Sequence, residues 1–148
     1  MKWTYYSSFD DFTPRHLHDV LKLRQEIFII EQECIYNDID GLDDVSEHLL
    51  LFNSDEILIG YLRIVPAGSK FEECSLGRIA IKHTHRGQGL GKTLVRKGIE
   101  IVEKAGVQAV RIEAQAHLEK FYEDIRFRTV SDIYIVDDIP HLQMILTS

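Results

Sequence analysis

The chain has 148 residues, 45% of them hydrophobic, a length that suits one domain with a core large enough to stand without disulfides. Its net charge of −7 argues against nucleic acid and for a cationic or polar substrate. Cys34 and Cys74 match no metal-ligand spacing and read as reduced thiols of a cytoplasmic protein, while no signal-peptide core or membrane-length apolar run occurs.

In chain order, residues 3–7 are short and aromatic and predict a first strand. Thr13-Pro14 is a helix start, with Thr as the cap and Pro at the first helical position. Leu17, Val20, Leu21, Arg24, Ile27 and Phe28 recur at helical spacing, which predicts a helix over 14–31. His16 and His18 in its first turn read as surface positions. Residues 31–47 are acidic, carrying Glu31, Glu33, Asp38, Asp40, Asp43, Asp44 and Glu47. This segment is either a solvated loop or an acidic wall beside an amine-bearing substrate. Gly41 directly follows Asp40, so the spacing of a calcium loop is missing and no metal site is expected.

Residues 48–52 and 57–65 predict a hairpin across the turn Asn53-Ser54-Asp55-Glu56. A further strand is expected over 76–81, interrupted by Gly77, then a helix from about 90 that ends near Gly106. A strand over 107–114, a short helix over 117–124, and β runs over 128–136 and 142–146 complete the order. Strand–helix–strand units of this kind imply an α/β fold with a partly parallel sheet. Arg63 and Arg78 lie inside apolar runs, where an unpaired charge is costly. Pairing with the acidic segment and anchoring a substrate carboxylate are both open, and for Arg63 an outward-facing position is favoured.

The stretch Arg86-Gly87-Gln88-Gly89-Leu90-Gly91-Lys92-Thr93 joins the strand over 76–81 to the amphipathic helix. Glycines let the backbone approach a ligand closely, and a helix N-terminus offers free N–H groups and partial positive charge to a phosphate. A P-loop requires Gly, four intervening residues and then Gly-Lys-Ser/Thr, and the position of that first Gly is held by Arg86. A dinucleotide fingerprint requires G-x-G-x-x-G, and Gly87, Gly89 and Gly91 form G-x-G-x-G instead. Arg86, Gly89 and Gly91 fit a third pattern, Arg/Gln-x-x-Gly-x-Gly/Ala, which resembles the coenzyme A pyrophosphate loop of the GNAT N-acetyltransferases. A glycine-rich turn without a ligand is the plain alternative.

Two further regions carry the resemblance. Phe121-Tyr122-Glu123-Asp124-Ile125-Arg126-Phe127 is similar to the family's F-Y-x-x-x-G-F, with Arg126 where Gly is usual. Gln25-Glu26-Ile27-Phe28-Ile29-Ile30-Glu31-Gln32-Glu33-Cys34, with Asp40-Gly41, His48-Leu49, the run Ala114-Gln115-Ala116-His117-Leu118 and Ile139-Pro140-His141, resembles the ElaA-like branch. The resemblance implies one GNAT domain over 1–148, with helices flanking a central mixed, partly splayed β-sheet. Ile79, Ala80 and Ile81 then correspond to the strand that pairs with the pantetheine arm. Arg86, Gly87, Gln88, Gly89, Leu90, Gly91 and Lys92 correspond to the pyrophosphate loop, and Gln115 to a polar contact on the cofactor. Tyr122 corresponds to the general acid beside the coenzyme A sulfur; read without the resemblance, it is an aromatic core residue.

The implied reaction is direct transfer of the acetyl group of acetyl-CoA to a primary amine of a small molecule, an amino-acid derivative or a peptide. An alkylammonium has a pKa near about 10.4 and must lose a proton before attack. His48, His117, His141 and Glu113 are the candidate bases by residue type. His83 and His85 read as structural or surface groups. The other reading of the same fold is a non-catalytic acyl-CoA-binding sensor. Nucleic-acid and membrane partners are not expected, and open sheet edges permit a homodimer.

Overall fold

The computed structural model describes residues 1–148. Its strands are β1 (Lys2–Tyr6), β2 (Glu47–Phe52), β3 (Leu58–Val65), β4 (Cys74–Ile81), β5 (Ala109–Gln115), β6 (Arg128–Thr129), β7 (Tyr134–Val136) and β8 (Ile139–Thr147). The helices are α1 (Pro14–Arg24), α2 (Leu90–Lys104) and α3 (Glu119–Glu123). All eight strands form one sheet in the order β1-β2-β3-β4-β5-β8-β6, with β7 also paired to β8. β4 and β5 run parallel and every other pair is antiparallel. α2 is the crossover that parallel pairing requires.

Helices cover both faces of the sheet centre. Leu94, Val95, Ile99 and Val102 of α2 pack with Leu49, Leu62, Ile64, Leu76, Val110 and Ile112. Val20 and Leu23 of α1, continued by Ile27, pack with Leu50, Phe52, Leu58, Tyr61 and Ala80 on the other face. This explains why β3 is buried along its whole length, and apolar at every position but Arg63, instead of alternating. By contrast, β5 alternates between buried and half-buried residues, so one of its faces is open to solvent.

Thr13 caps α1 by accepting a hydrogen bond from the His16 N–H, and Pro14 opens the helix as expected. The helix over 14–31 is not uniform: its last part, Gln25–Glu31, is wound as a π-helix. A widened turn of this kind occurs mostly at functional sites, and here Ile27, Phe28 and Glu31 reach the cavity described below. The β run over 128–136 is also divided, into β6 and β7. Both pair with β8, which starts at Ile139 rather than 142. Asp137 and Asp138 form the two-residue turn between β7 and β8, both at positive φ (49° and 64°). That is the primed hairpin geometry usually supplied by Asn-Gly.

Arg126 stands where the family has Gly, at φ 87°. The Phe127 N–H donates to Tyr122 O at 3.1 Å and the Arg126 N–H to Glu123 O at 2.9 Å. This double bond pattern is the glycine-type helix ending, completed here by a residue with a Cβ. Left-handed backbone costs a residue with a Cβ roughly 1–2 kcal/mol, and glycine returns part of that as unfolded-chain entropy. Arg126→Gly is therefore expected to raise stability by about 0.5–1 kcal/mol, measured by urea unfolding.

Candidate active site

The sheet opens at its centre. β4 and β5 pair only at Cys74↔Val110 and Ser75↔Arg111, and past those residues β4 has no partner on its β5 side. A bulge in β4 turns its backbone further. Tyr61 faces Ala80 and Arg63 faces Gly77, so Arg78 and Ile79 together stand opposite Leu62. The interruption expected at Gly77 is thus carried by Arg78, at φ 49°. Backbone N–H and C=O groups of the following residues are left for a ligand instead of a strand.

Between the parted strands lies a cavity of about 1250 Å³. Ile79, Ala80 and Ile81 of β4 line it, as do Arg86, Gly87, Gly89, Leu90, Gly91 and Lys92 of the glycine loop. Gln88 does not line the cavity; it is exposed on the outside of the loop. Gly87 and Gly89 have φ of 78° and 76°, and a Cβ at either would meet nothing within 4 Å. No side chain caps the start of α2, so its leading N–H groups are free for an anion. At Gly91 a Cβ would lie 3.4 Å from the ring of Phe121, in ordinary van der Waals contact, so the start of α2 runs close beside that ring. Phe121, to which the sequence assigned no role, packs the third helix against the loop. The Arg86 guanidinium bonds Glu31 at 2.9 Å and Ile81 O at 3.2 Å, tying the loop to the end of the π segment.

Tyr122 is 6% exposed and lines the cavity. No protein group hydrogen-bonds its hydroxyl, and burial alone pushes its pKa well above the ordinary tyrosine value. Burial thus favours the protonated hydroxyl, which has a proton to donate at neutral pH. Gln115 lines the cavity at the end of β5 and donates to Gln32 Oε1 at 3.4 Å.

The candidate bases separate clearly. His48 is buried away from the cavity. Its Nε2 donates to Asp43 O at 2.9 Å, so its Nδ1 accepts from the Tyr61 hydroxyl at 2.6 Å. Burial lowers its pKa, and both ring nitrogens are occupied, which removes it as a base. Glu113, His117 and His141 all line the cavity. Glu113 accepts from the Tyr134 hydroxyl at 2.8 Å and faces Lys70 Nζ at 3.3 Å. His117 is exposed on a short 3-10 turn. His141 is half-buried and bonds Ile139 O through Nδ1 at 2.7 Å. Of the two histidines ahead of the glycine loop, His83 is exposed and His85 reaches the cavity.

The acidic segment is not an open wall. Asp38 and Asp43 bind Arg24 at 2.9 and 2.8 Å. Asp40 and Asp43 bind Arg63 at 2.8 and 3.0 Å, and Asp38 and Asp40 bind Arg78 at 2.9 and 3.2 Å. Arg63, expected to face outward, is 1% exposed, as is Arg24. Three arginines thus neutralise three aspartates and clamp the segment to α1, β3 and the β4 bulge. The segment then presents Gln32, Cys34, Ile35, Tyr36 and Asn37 to the cavity. The sequence signals of this clamp were the acidic run and the two arginines inside apolar strands, for which pairing with that run was one of two open readings.

These features have counterparts in known proteins. A protein-family model described as an acetyltransferase (GNAT) domain matches residues 12–148. Protein ElaA of Escherichia coli (strain K12) is 36% identical over 132 residues, covering 86% of this chain and 85% of ElaA. A UPF0039 protein of Synechocystis sp. is 36% identical over 147 residues, covering 98% and 94%. Among solved structures, an acyl-CoA N-acyltransferase from Pseudomonas aeruginosa superposes with a TM-score of 0.91 at 35% identity, covering 97% of each chain. With its sheet parted between two parallel strands, a glycine loop feeding the crossover helix and a family match over nearly its full length, the chain belongs to the GNAT acetyltransferase family.

Proposed function

We propose that the protein is an acetyl-CoA-dependent N-acetyltransferase that acts in the cytoplasm on a primary amine of a small molecule, an amino-acid derivative or a peptide. One observation carries this reading. The free N-terminus of α2, the unpaired edge of β4 and the buried Tyr122 hydroxyl all open into a single cavity. A pyrophosphate suits the first, an extended amide-bearing arm the second, and a leaving thiolate the third.

Acetyl-CoA supplies a thioester whose carbonyl carbon accepts the amine nitrogen as the C–S bond breaks. Backbone N–H groups of the β4 bulge stand ready for the charge that develops on oxygen. The Tyr122 hydroxyl, kept protonated by its burial, gives its proton to the departing sulfur. Leu76, Ile79, Ile112 and Ala114 make the walls apolar, which strengthens every polar contact inside them. No covalent enzyme intermediate is required.

The test is thermal stability with acetyl-CoA, coenzyme A and ATP, followed by thiol release on an amine panel. At 100 times Kd a ligand of the native state adds about 2.7 kcal/mol of apparent stability. Both coenzyme A species are expected to stabilise the protein, and ATP is not. Gly89→Glu combines left-handed strain with a carboxylate facing the phosphates, so at least about a tenfold loss of acetyl-CoA affinity is expected, equal to about 1.4 kcal/mol. Absence of any shift with acetyl-CoA in folded wild type would sink the reading. Binding without turnover on every amine would replace it with an acyl-CoA sensor.

A further inference from the structure

The hydrogen bond at His141 defines the protonation of its ring. Nδ1 lies 2.7 Å from Ile139 O, and a carbonyl oxygen can only accept, so Nδ1 carries the proton. In the neutral ring the lone pair is then on Nε2, which makes no hydrogen bond within the protein. Ile139 follows the Asp137-Asp138 turn and pairs with Val136, so the carbonyl that orients the ring is itself held in a hairpin. Across the sheet His141 stands opposite Gln115 on β5 and Tyr134 on β7. Opposed residues of antiparallel strands share a face, and here it is the cavity face on which Gln115 lies.

We propose that His141 is the base that takes the proton from the acceptor amine, through the lone pair on Nε2. The inference rests on the N-acetyltransferase reading above. Its rivals lack either freedom or orientation. Glu113 is held by Tyr134 and Lys70, His48 is enclosed, and His117 has no hydrogen bond that orients its ring. The titratable groups around His141 are Glu113 and Tyr134 on the neighbouring strands, Asp137 on the turn, Lys70, and Cys34, whose Sγ lies 3.4 Å from Asp137 O.

One proton passes from the ammonium nitrogen to Nε2 and later to solvent. The freed lone pair forms the C–N bond and the C–S bond breaks. The nitrogen sheds a second proton as the amide forms, which balances the one that Tyr122 gives to sulfur and regains.

His141→Gln keeps an amide N–H able to reach the Ile139 carbonyl, so the turn is expected to hold. With an amine that wild type acetylates, kcat/KM is expected to fall about 10²-fold or more. The single-proton limb on the acid side of the pH profile disappears, and the acetyl-CoA thermal shift is unchanged. Imidazole added to His141→Ala restores part of the rate. Nitrogen NMR of the histidines finds the proton on Nδ1 of His141 in the neutral form. An acid limb that persists in His141→Gln, or a neutral ring protonated on Nε2, overturns the assignment and leaves the acetyltransferase reading intact. Wild type that transfers to no amine overturns both.

Discussion

Tyr122→Phe is expected to lower kcat about 10²- to 10³-fold, with KM for acetyl-CoA and Tm nearly unchanged. The ring packs against Phe121 and Phe127 at centroid distances of 5.0 and 5.8 Å, and Phe preserves both contacts. The hydroxyl has no protein partner, so its removal breaks no hydrogen bond and leaves no group unsatisfied. What is lost is the proton delivered to the leaving sulfur, an interaction made only as the C–S bond breaks. A loss of that kind lowers kcat and kcat/KM together. An unchanged kcat in a correctly folded Tyr122→Phe enzyme would reduce this residue to part of the core.

Asp43→Ala is expected to destabilise the protein by about 3–5 kcal/mol, because it leaves two buried guanidinium groups short of their counter-charge. At roughly 2–4 °C per kcal/mol for a domain of this size, Tm falls by about 6–20 °C. Asp43 Oδ1 accepts from Arg24 at 2.8 Å and from Arg63 at 3.0 Å, so one carboxylate joins α1 to β3. Arg63 Nε has no acceptor, so the remaining bonds of that guanidinium cannot redistribute to cover the loss. The same cluster sets a pH dependence. Burial works to raise the Asp43 pKa, but the hydrogen bonds and charges of Arg24 and Arg63 outweigh it, and the net shift is downward. Asp40 is lowered too, by Arg63 and Arg78 against its own burial. A depressed carboxylate contributes stability above its unfolded pKa, and that contribution is lost as pH falls through the folded one. The wild type is therefore expected to hold its stability down to the carboxylate range and lose it below, with a shallower acid slope in Asp43→Ala. Urea midpoints between pH 3 and 7 measure this. An acid slope unchanged in the variant would mean that the clamp does not govern acid unfolding.

The clamp also bears on function. It fixes an irregular segment that supplies Gln32, Tyr36 and Asn37 to the cavity. Arg78 joins that segment to the β4 bulge, with its guanidinium 5.4 Å from the centre of the Tyr36 ring. The segment that lines the cavity and the unpaired edge of β4 are thus mechanically connected.

Sequence by itself determined the element order, the strand–loop–helix at Arg86–Thr93 and the apolar faces of α1 and α2. These are local properties: glycine tolerates positive φ, and apolar side chains repeat at the period of a buried helix face. Resemblance to the family's F-Y-x-x-x-G-F marked position 126 as one usually filled by glycine, and the structure gives Arg126 the left-handed backbone found there. Tertiary structure alone decided the rest. No local signal tells that β4 and β5 part after two residue pairs, because parting depends on the bulge at Arg78 and on what packs against each strand. Nor could spacing sort the histidines: His48 and His141 are alike in type, and differ because one has both nitrogens bonded within the core and the other has one nitrogen free. Arg63 lay in an apolar run, and its partners Asp40 and Asp43 are 23 and 20 residues away along the chain. A buried charge is stable only with a partner brought to it by the fold, and that partner is a fact of three dimensions.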